Sequence, residues 1–254
     1  MSYYIASCSC GRDSMAMTLR LIEEGKPLDE IVFYSNGMDF DSIFANWRKI
    51  KKIAEPKGIK CTMLEPSEPF LFRMLDKIVK NKDGSGYHQG YAWCGGCCRW
   101  DTTCKVSMLH KYCVERNACC YVGIALDEEW RVQREYQPYK IYPLIEWGMT
   151  EEDCLAYCRK RGITWEEEGA STPSGKIDLY DILDRVSCWC CANKNQWELY
   201  NIWRYLPLYW DRLTELQEKI PRPFKKGYTL FDLEERFIDG YIPKHRKKPK
   251  RKVR

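Results

Sequence analysis

The first half of this 254-residue chain alternates short apolar runs with amphipathic stretches. The runs predicted as strands span residues 3–7, 30–36, 59–64 and 119–124, and the predicted helices between them span 13–24, 41–55 and 69–80. Strands separated by helices of this length form βαβ units, in which the strands lie parallel. The sequence therefore predicts an α/β fold with a parallel sheet over residues 1–150.

The pattern changes after Thr150, which precedes a predicted helix as its N-cap, with Asp153 three residues on as in a capping box. Residues 81–90 and 165–177 are predicted as loops, and 195–206, 208–219 and 230–238 as helices. We expect three regions: residues 1–150, a helical part at 151–220, and an amphipathic segment with a basic tail at 221–254.

The basic tail, residues 244–254 (KHRKKPKRKVR), contains eight Lys or Arg and no acidic residue. Such a segment cannot bury apolar surface and suits polyanions, so we expect it to be disordered and to bind nucleic acid; a solubilising segment without a specific partner is the alternative. No apolar run is long enough to span a membrane, and a signal peptide is not evident. We therefore expect a cytoplasmic protein without a membrane partner.

The stretch SCSCGRDS, residues 7–14, joins the first strand to the first helix. Its small residues allow backbone N–H groups to converge on an anion at the helix N-terminus. Ser9 and Ser14 add hydroxyl donors, and Arg12 adds positive charge. The GK[ST] ending of a Walker loop is absent. A phosphate-binding loop is the first interpretation, and an ordinary strand-to-helix turn is the alternative.

Two dense groups account for many of the fifteen cysteines, WCGGCCRW at residues 93–100 and SCWCC at 187–191. Each contains a CxxC spacing, and four thiolates from two such loops form a site for zinc or an iron–sulfur cluster. The predicted ligands are Cys94, Cys97, Cys98, Cys188 and Cys191, with Cys104 and Cys190 close enough in sequence to replace one of them. The alternative, buried free thiols, suits the isolated cysteines but explains CGGCC poorly.

Four segments, in order along the chain, together resemble one family. SCGRDS at 9–14 resembles the SGGxDS loop of the N-type ATP pyrophosphatases, with Cys10 in place of a glycine. YSNGMDF at 34–40 resembles the TGxEF segment of the PAPS reductase-like branch, and GIALDEEWR at 123–131 is similar to its GIRxDExxxR segment. YPLIEW and TEED, within 142–153, resemble YPLxxWtxxDv.

The resemblance implies that residues 1–150 form a PP-loop domain with a Rossmann-like parallel sheet, which binds ATP or a related adenine nucleotide with Mg²⁺. The residues implied to bind the nucleotide are Ser7, Ser9, Gly11, Arg12, Asp13, Ser14, Asp39 and Gly123. Catalytic roles are implied for Asp13, for Asp127 as a Mg²⁺ ligand, and for Arg131, which would neutralise phosphate. A surface ion pair of Asp127 with Arg131 is the alternative.

The resemblance also favours a metal. Adenylylsulfate reductases of this family hold a [4Fe–4S] cluster with a CC…CxxC arrangement, which Cys97, Cys98, Cys188 and Cys191 resemble. We therefore expect a [4Fe–4S] cluster, with zinc as the alternative. Cys8 and Cys10 are then interpreted as small loop residues, although a reactive Cys10 thiolate at a helix N-terminus is a second interpretation.

The expected function is activation of a substrate by adenylylation, with release of pyrophosphate, in sulfur transfer or nucleic-acid modification. A non-catalytic nucleotide-binding subunit of a nucleic-acid-handling complex is an alternative. So is a sulfonucleotide (PAPS or APS) reductase, but the nucleophilic cysteine of those enzymes lies in a C-terminal ECGxH-like motif, and no cysteine follows Cys191 here.

Overall fold

A computed structural model describes residues 2–93, 98, 102–132 and 137–245. The strands are β1 (Tyr3–Ser7), β2 (Glu30–Tyr34), β3 (Lys60–Leu64), β4 (Ile78–Lys80), β5 (Tyr87–Gln89), β6 (Ala118–Val122), β7 (Lys140–Ile141), β8 (Glu166–Glu168) and β9 (Lys176–Asp178). The α-helices are α1 (Arg12–Glu23), α2 (Asp41–Ala54), α3 (Thr102–Glu115), α4 (Pro143–Glu146), α5 (Glu151–Arg159), α6 (Leu179–Ile182), α7 (Gln196–Tyr205), α8 (Pro207–Lys219) and α9 (Leu230–Ile238).

The central sheet has five parallel strands in the order β3-β2-β1-β6-β7. The chain runs outwards from β1 through β2 and β3, then returns to place β6 on the other side of β1. This reversal makes the gap between β1 and β6 a topological switch point, and ligands of open α/β sheets bind at the carboxyl edge of such a point. The predicted Rossmann-like α/β fold with a helical C-terminal part is confirmed.

A buried apolar core holds the sheet and helices together. Every residue of β2 is buried, and a core cluster runs from Ala6 in β1 to Phe237 in α9. Trp165, between α5 and β8, is one of the largest fully buried side chains. Tyr200, Trp203 and Trp210 lie around the ring of Phe237, so these aromatic residues of the C-terminal helices serve in packing.

The predicted helix at 69–80 is wrong. A π-helical turn, Phe72–Asp76, is followed by β4, which pairs antiparallel with β5 inside the predicted loop 81–90. The β-branched Ile78 and Val79 favour the strand, and the Asn- and Gly-rich segment after them closes the hairpin. The predicted loop at 165–177 likewise contains β8 and the start of β9, which form a second hairpin.

Helix boundaries elsewhere follow the sequence closely. Thr150 and Asp153 form the expected capping box at the start of α5, since each accepts a hydrogen bond from the other residue's backbone N–H. Helix α3, the 3-10 turn Leu126–Arg131 and strand β7 had no counterpart in the prediction. Within the described residues, no helix combines the length and apolar character that crossing a membrane requires.

Candidate functional site at the carboxyl edge of the sheet

The loop between β1 and α1 lies at the switch point and is held by its own hydroxyl groups. Ser14 Oγ accepts a hydrogen bond from the backbone N–H of Ser9 (3.1 Å) and donates to the carbonyl of Gly11 (3.2 Å). The hydroxyl oxygen of Ser9 lies 3.1 Å from Ser14 Oγ. Gly11 is the N-cap of α1, and no side chain caps this helix. The N–H of Arg12 donates to Tyr180 Oη, whereas within the described residues the N–H groups of Asp13 and Ser14 have no acceptor and remain available at the N-terminus of α1.

Two aromatic side chains from the second half of the chain form hydrogen bonds with the backbone of this loop. Trp165 Nε1 donates to the carbonyl of Cys10 at 2.8 Å, and Tyr180 Oη accepts from the backbone N–H of Arg12 at 2.9 Å. Both aromatic rings are in edge contact with each other. The loop conformation is thus set by residues far from it in sequence, which the motif alone could not have revealed.

Cys10 adopts a left-handed conformation, with φ of +57°. Glycine adopts this region without strain, whereas a side chain there costs about 1–2 kcal/mol. The side chain of Cys10 is fully buried, and its Sγ lies 3.9 Å from that of Cys8. Burial, together with the Cys8 thiol, raises the pKa of Cys10 well above its usual range. A reactive Cys10 thiolate is therefore the wrong interpretation, and Cys10 is a packed loop residue.

Gly123, directly after β6, makes the closest approach to the start of α1. A β-carbon on Gly123 would lie 2.8 Å from Ser14 Cα and 2.9 Å from Ser14 N, so only glycine fits here. This glycine lets the carboxyl end of β6 contact the first turn of α1, and it is one of the residues predicted from the sequence. The loop 7–14 and the segment that begins at Gly123 therefore form one surface.

Asp13 is a partly buried carboxylic acid on that surface. Within the described residues no hydrogen bond reaches its Oδ1, and Arg12 Nε lies 3.5 Å from it. Burial raises the pKa of Asp13 to about 7, although the charge of Arg12 opposes the shift; the negative charges of Glu151 and Glu128 raise it further. Arg12 also forms a salt bridge with Glu151 at 2.7 Å.

Among the described residues, the structure shows a separate contact for each of Asp127 and Arg131. Asp127 Oδ1 accepts the backbone N–H of Glu151 at 3.1 Å, at the start of α5. Arg131 binds Glu128 at 2.6 Å, and both residues have further interactions. Since Glu128 and Glu151 both act on Asp13, the structure brings Asp127 and Arg131 to the region of the loop 7–14.

The segment after β2 reaches the same edge. Ser35 Oγ donates to Asp39 Oδ2 at 2.7 Å and accepts the N–H of Gly37 at 3.1 Å, which forms a tight turn. The negative charge of Asp39 contributes to the raised pKa of Cys10, so Asp39 lies near the loop. Ser7 ends β1, where it pairs with Val32 and Val122. The structure therefore places Ser7 and Asp39, two residues of the predicted nucleotide-binding set, at the same edge of the sheet.

Two cationic residues near the loop were missed by sequence reasoning. Lys105 of α3 lies 5.9 Å from the ring centre of Tyr34, and its charge lowers the pKa of Cys10. Arg185, after α6, is exposed, and its charge lowers the pKa of Asp13. Neither residue forms an ion pair within the described part of the chain. They occur in no recognised motif, so only the folded chain shows that they share this edge.

The second cysteine group lies against the turn after β2. Asn36 Nδ2 donates to Cys188 Sγ at 3.2 Å, and the N–H of Trp189 donates to the carbonyl of Met38 at 3.0 Å. Cys188 and Cys191 belong to one turn, closed by a 3.0 Å bond from the N–H of Cys191 to the carbonyl of Cys188. Cys190 points into the core, and burial raises its pKa well above the usual range.

Lys194 is a buried cation beside this turn. Its side chain donates to Ser187 Oγ at 3.2 Å, lies 5.4 Å from the ring centre of Phe40, and is only 2% exposed. Within the described residues no carboxylate lies within 4 Å of its ammonium group. A buried ammonium without an anion is costly, so this position favours negative charge on the neighbouring sulfur atoms.

Of the first cysteine group, Cys94 and Cys97 lie outside the described residues. Cys98 is partly buried against the core, and Trp93 stacks edge-on against Phe224 with ring centres 4.6 Å apart. Lys225, next to Phe224, donates to the carbonyl of Ala192. Trp93, at the start of the first group, and Ala192, directly after the second, therefore contact two adjacent residues, Phe224 and Lys225.

No three His, Cys, Asp or Glu side chains within the described residues are arranged to hold a metal ion. The thirteen described cysteines form no disulfide with one another. Any centre at Cys188 and Cys191 would therefore need ligands from the first cysteine group, part of which is outside the described residues.

The fold and this edge define a class: a doubly wound α/β protein with an uncapped helix N-terminus, small loop residues and convergent cations at its switch point. No protein-family model matches the chain, and no curated protein matches it. The particular function therefore rests on the geometry of the site.

Proposed function

We propose that this chain binds ATP at the carboxyl edge of the sheet and uses it to adenylylate an acceptor, as the resemblance to PAPS reductase-like proteins implies. The observation that carries the proposal is the close apposition of Gly123 and the first turn of α1. It joins the loop 7–14 to the segment containing Asp127 and Arg131 in one anion-binding surface.

The loop supplies the phosphate contacts. The free N–H groups at the start of α1 would donate to a phosphate of ATP, and the helix dipole favours negative charge there. Ser9 and Ser14 are already fixed by mutual hydrogen bonds, so their orientation requires little reorganisation on binding. Lys105 and Arg185 would add positive charge around the phosphates.

The reaction would begin with attack of an acceptor oxygen on the α-phosphorus of ATP. The bond from this phosphorus to the oxygen that bridges it to the β-phosphorus breaks, and pyrophosphate leaves. Asp13 is suited to take the proton of the attacking oxygen, because a pKa of about 7 lets it exchange protons near neutral pH. A sulfur or nitrogen nucleophile would then displace AMP from the adenylate.

Mg²⁺ fits this edge by the chemistry of its oxygen donors. Asp127 supplies one carboxylate, and protein sites for Mg²⁺ in nucleotide enzymes use few carboxylates together with substrate phosphates. When bound, the ion would neutralise charge that develops on the departing pyrophosphate. Arg131 would contribute to the same neutralisation from the end of the 3-10 turn.

A thiolate-bound metal centre fits the turn of Cys188 and Cys191. The amide donor of Asn36 and the buried charge of Lys194 both favour sulfur in its anionic form. A [4Fe–4S] cluster, when bound, would supply electron or sulfur transfer, and zinc would give a structural link. Cys188 and Cys191 would be two of the ligands, and Cys94, Cys97 or Cys98 would complete the set.

The decisive assay incubates the anaerobically purified protein with ATP, Mg²⁺ and candidate acceptors, and measures AMP and pyrophosphate. Equimolar AMP and pyrophosphate, lost in Asp13→Asn, support adenylylation. A raised melting temperature with ATP but no cleavage would instead favour the non-catalytic subunit. Release of sulfite from a sulfonucleotide in the presence of thioredoxin would overturn the proposal in favour of a reductase.

The metal centre has a separate test. Visible spectra and metal analysis are compared between the wild type and Cys188→Ala/Cys191→Ala, with Cys61→Ala as the matched control of an isolated cysteine. About four irons per chain and a broad band near about 400 nm, both lost only in the double variant, support the cluster. One zinc per chain supports the structural link, and no metal would remove the centre from the proposal.

A further inference from the structure

The side chain of Arg12, at the start of α1, lies between two carboxylates. Its Nη2 is 2.7 Å from Glu151 Oε2, whereas its Nε is 3.5 Å from Asp13 Oδ1. The shorter distance is that of a charge-assisted hydrogen bond, and the longer one exceeds the usual length of such a bond. The guanidinium therefore binds Glu151 of α5 more closely than it binds Asp13, its neighbour in sequence.

The ring of Tyr180 limits where this guanidinium can lie. Arg12 Cζ is 4.9 Å from the centre of the ring, within the range of a cation–π contact, and the Tyr180 hydroxyl accepts the backbone N–H of Arg12 at 2.9 Å. The Arg12 side chain is only 13% exposed. Arg12 therefore links the loop 7–14 to α5 and α6, and little of its side chain faces solvent.

Glu151 is the first residue of α5, and backbone contacts fix its place. Its N–H donates to Asp127 Oδ1 at 3.1 Å, and the capping box of Thr150 and Asp153 begins the helix at this residue. A capping box stabilises the first turn of a helix. The carboxylate of Glu151 therefore reaches Arg12 from a well-fixed helix start, in the segment TEED that the sequence comparison with the family singled out.

Asp13 is left with an incomplete set of partners. Its Oδ1 atom is buried, and within the described residues no hydrogen bond reaches it. An aspartate beside an arginine usually has a pKa lowered by about 1–3. Burial instead raises the pKa of Asp13 to about 7, although the charge of Arg12 opposes the shift. The long contact of 3.5 Å and the raised pKa both indicate that Arg12 pairs only weakly with Asp13.

Other groups act on Asp13 from the elements packed around it. These are two thiols of α5, a phenol of α6 and two charged residues, namely Cys154, Cys158, Tyr180, Glu128 and Arg185. Burial raises the pKa of the thiols and of the phenol, so they are uncharged near neutral pH. Within the described residues, Arg12 is the cation that lies within 4.0 Å of the Asp13 carboxylate. The position of Arg12 therefore decides how far Asp13 is paired.

We propose that Glu151 is a positioning residue for the general base, because it draws the guanidinium of Arg12 toward α5 and so leaves Asp13 without a full ion pair. This role rests on the proposed function, in which Asp13 takes the proton of the attacking oxygen. Without the charge of Glu151, Arg12 would pair with Asp13, and a fully paired aspartate is a weaker base. The competition of the two carboxylates for Arg12 itself requires neither ATP nor a metal.

The test is a pH titration of the full chain, labelled with carbon-13 at its aspartate carboxyl groups and followed by NMR without nucleotide. The signal of Asp13 is the one that Asp13→Asn lacks. Glu151→Gln keeps the shape of the side chain and removes its charge, so it is expected to lower the pKa of Asp13 by at least about 1. Glu152→Gln is the matched control, because it removes the same charge from the exposed next residue, and it should leave this pKa unchanged.

A double-mutant cycle separates an effect that acts through Arg12 from a direct effect of the Glu151 charge. Arg12→Gln alone is expected to raise the pKa of Asp13, because it removes the cation in contact with that carboxylate. In the Arg12→Gln background, Glu151→Gln is expected to lower this pKa by less than about half as much as in the wild type. Circular dichroism and the melting temperature check that each variant keeps the fold.

Release of AMP from ATP gives a second readout. The acid limb of its pH profile is expected to move to lower pH in Glu151→Gln, as far as the pKa of Asp13 falls, and a mere loss of stability would not move it. Three results would overturn the proposal: an unchanged or raised pKa of Asp13 in Glu151→Gln, an equal fall in Glu152→Gln, or an equal fall in the Arg12→Gln background. Failure of the proposed function looks different, because the NMR results then hold while the wild type releases no AMP.

Discussion

Replacement of Gly123 by alanine tests whether the carboxyl end of β6 and the start of α1 form one site. The new β-carbon would lie 2.8 Å from Ser14 Cα, about half an ångström closer than ordinary contact. Both neighbours are backbone atoms, so the strand end and the helix start must separate. Overpacking of this kind costs about 1–3 kcal/mol of unfolding free energy. Displacement of the N–H groups of α1 would weaken their proposed hydrogen bonds to the ATP phosphates, each worth about 1.5–3 kcal/mol. Loss of one such bond would lower the affinity for ATP at least about tenfold.

The assays are chemical denaturation and calorimetric titration with a non-hydrolysable ATP analogue. Gly90→Ala is the matched control, because its β-carbon would lie 2.3 Å from the carbonyl oxygen of Met74, away from the loop. It should lose stability while it keeps the affinity for the analogue. Gly123→Ala should lose both, and an affinity equal to that of the wild type would refute the reasoning.

Three further predictions concern single side chains. The pKa of Asp13 is raised from 3.8 to about 7 in the folded state, so its ionisation lowers the unfolding free energy as the pH rises through this window. Asp13→Asn should remove this pH dependence, which amounts to at most about 4 kcal/mol, when denaturation is measured at several pH values. Burial opposes ionisation of Glu30, but hydrogen bonds from Thr62 and Tyr112 and the charge of Lys60 outweigh burial and lower the pKa of Glu30. The ionised carboxylate therefore stabilises the fold above pH 4.5, and this stabilisation is lost as the pH falls. Glu30→Gln should lower the unfolding free energy by about 1–3 kcal/mol at pH 7 and by progressively less in acid. Cys10→Gly relieves left-handed strain of about 1–2 kcal/mol but loses buried volume, so its unfolding free energy should stay near the wild-type value, whereas a β-branched Cys10→Val should be clearly less stable.

The parallel sheet was predictable because its strands are short apolar runs bounded by turn residues. The apolar run of β2 and the small residues of the loop after β1 are local patterns, and local patterns can be recognised in a single sequence. The segment 69–80 misled because Phe70, Leu71 and Met74 mimic a helical repeat. The hairpin pairing of β4 with β5 overrode this repeat, and cross-strand pairing leaves little trace in the periodicity of one segment.

The site was predictable only in part, for the same reason. Gly11, Asp13 and Gly123 belong to motifs, and the structure places them together. Lys105 and Arg185 belong to no motif, because a cation can act on a loop from any element that packs beside it. Tertiary neighbours of this kind are set by the packing of α3 and α6, which a linear pattern does not encode.

The hydrogen bonds from Trp165 and to Tyr180 have a consequence for synthesis of the chain. The loop 7–14 leaves the ribosome early, yet its two aromatic supports are 155 and 168 residues further along. A nascent chain that stops before them has the loop sequence without the groups that shape it. Under the proposed function, nucleotide capture should therefore begin only late in translation, and released fragments should not compete with the finished protein for ATP.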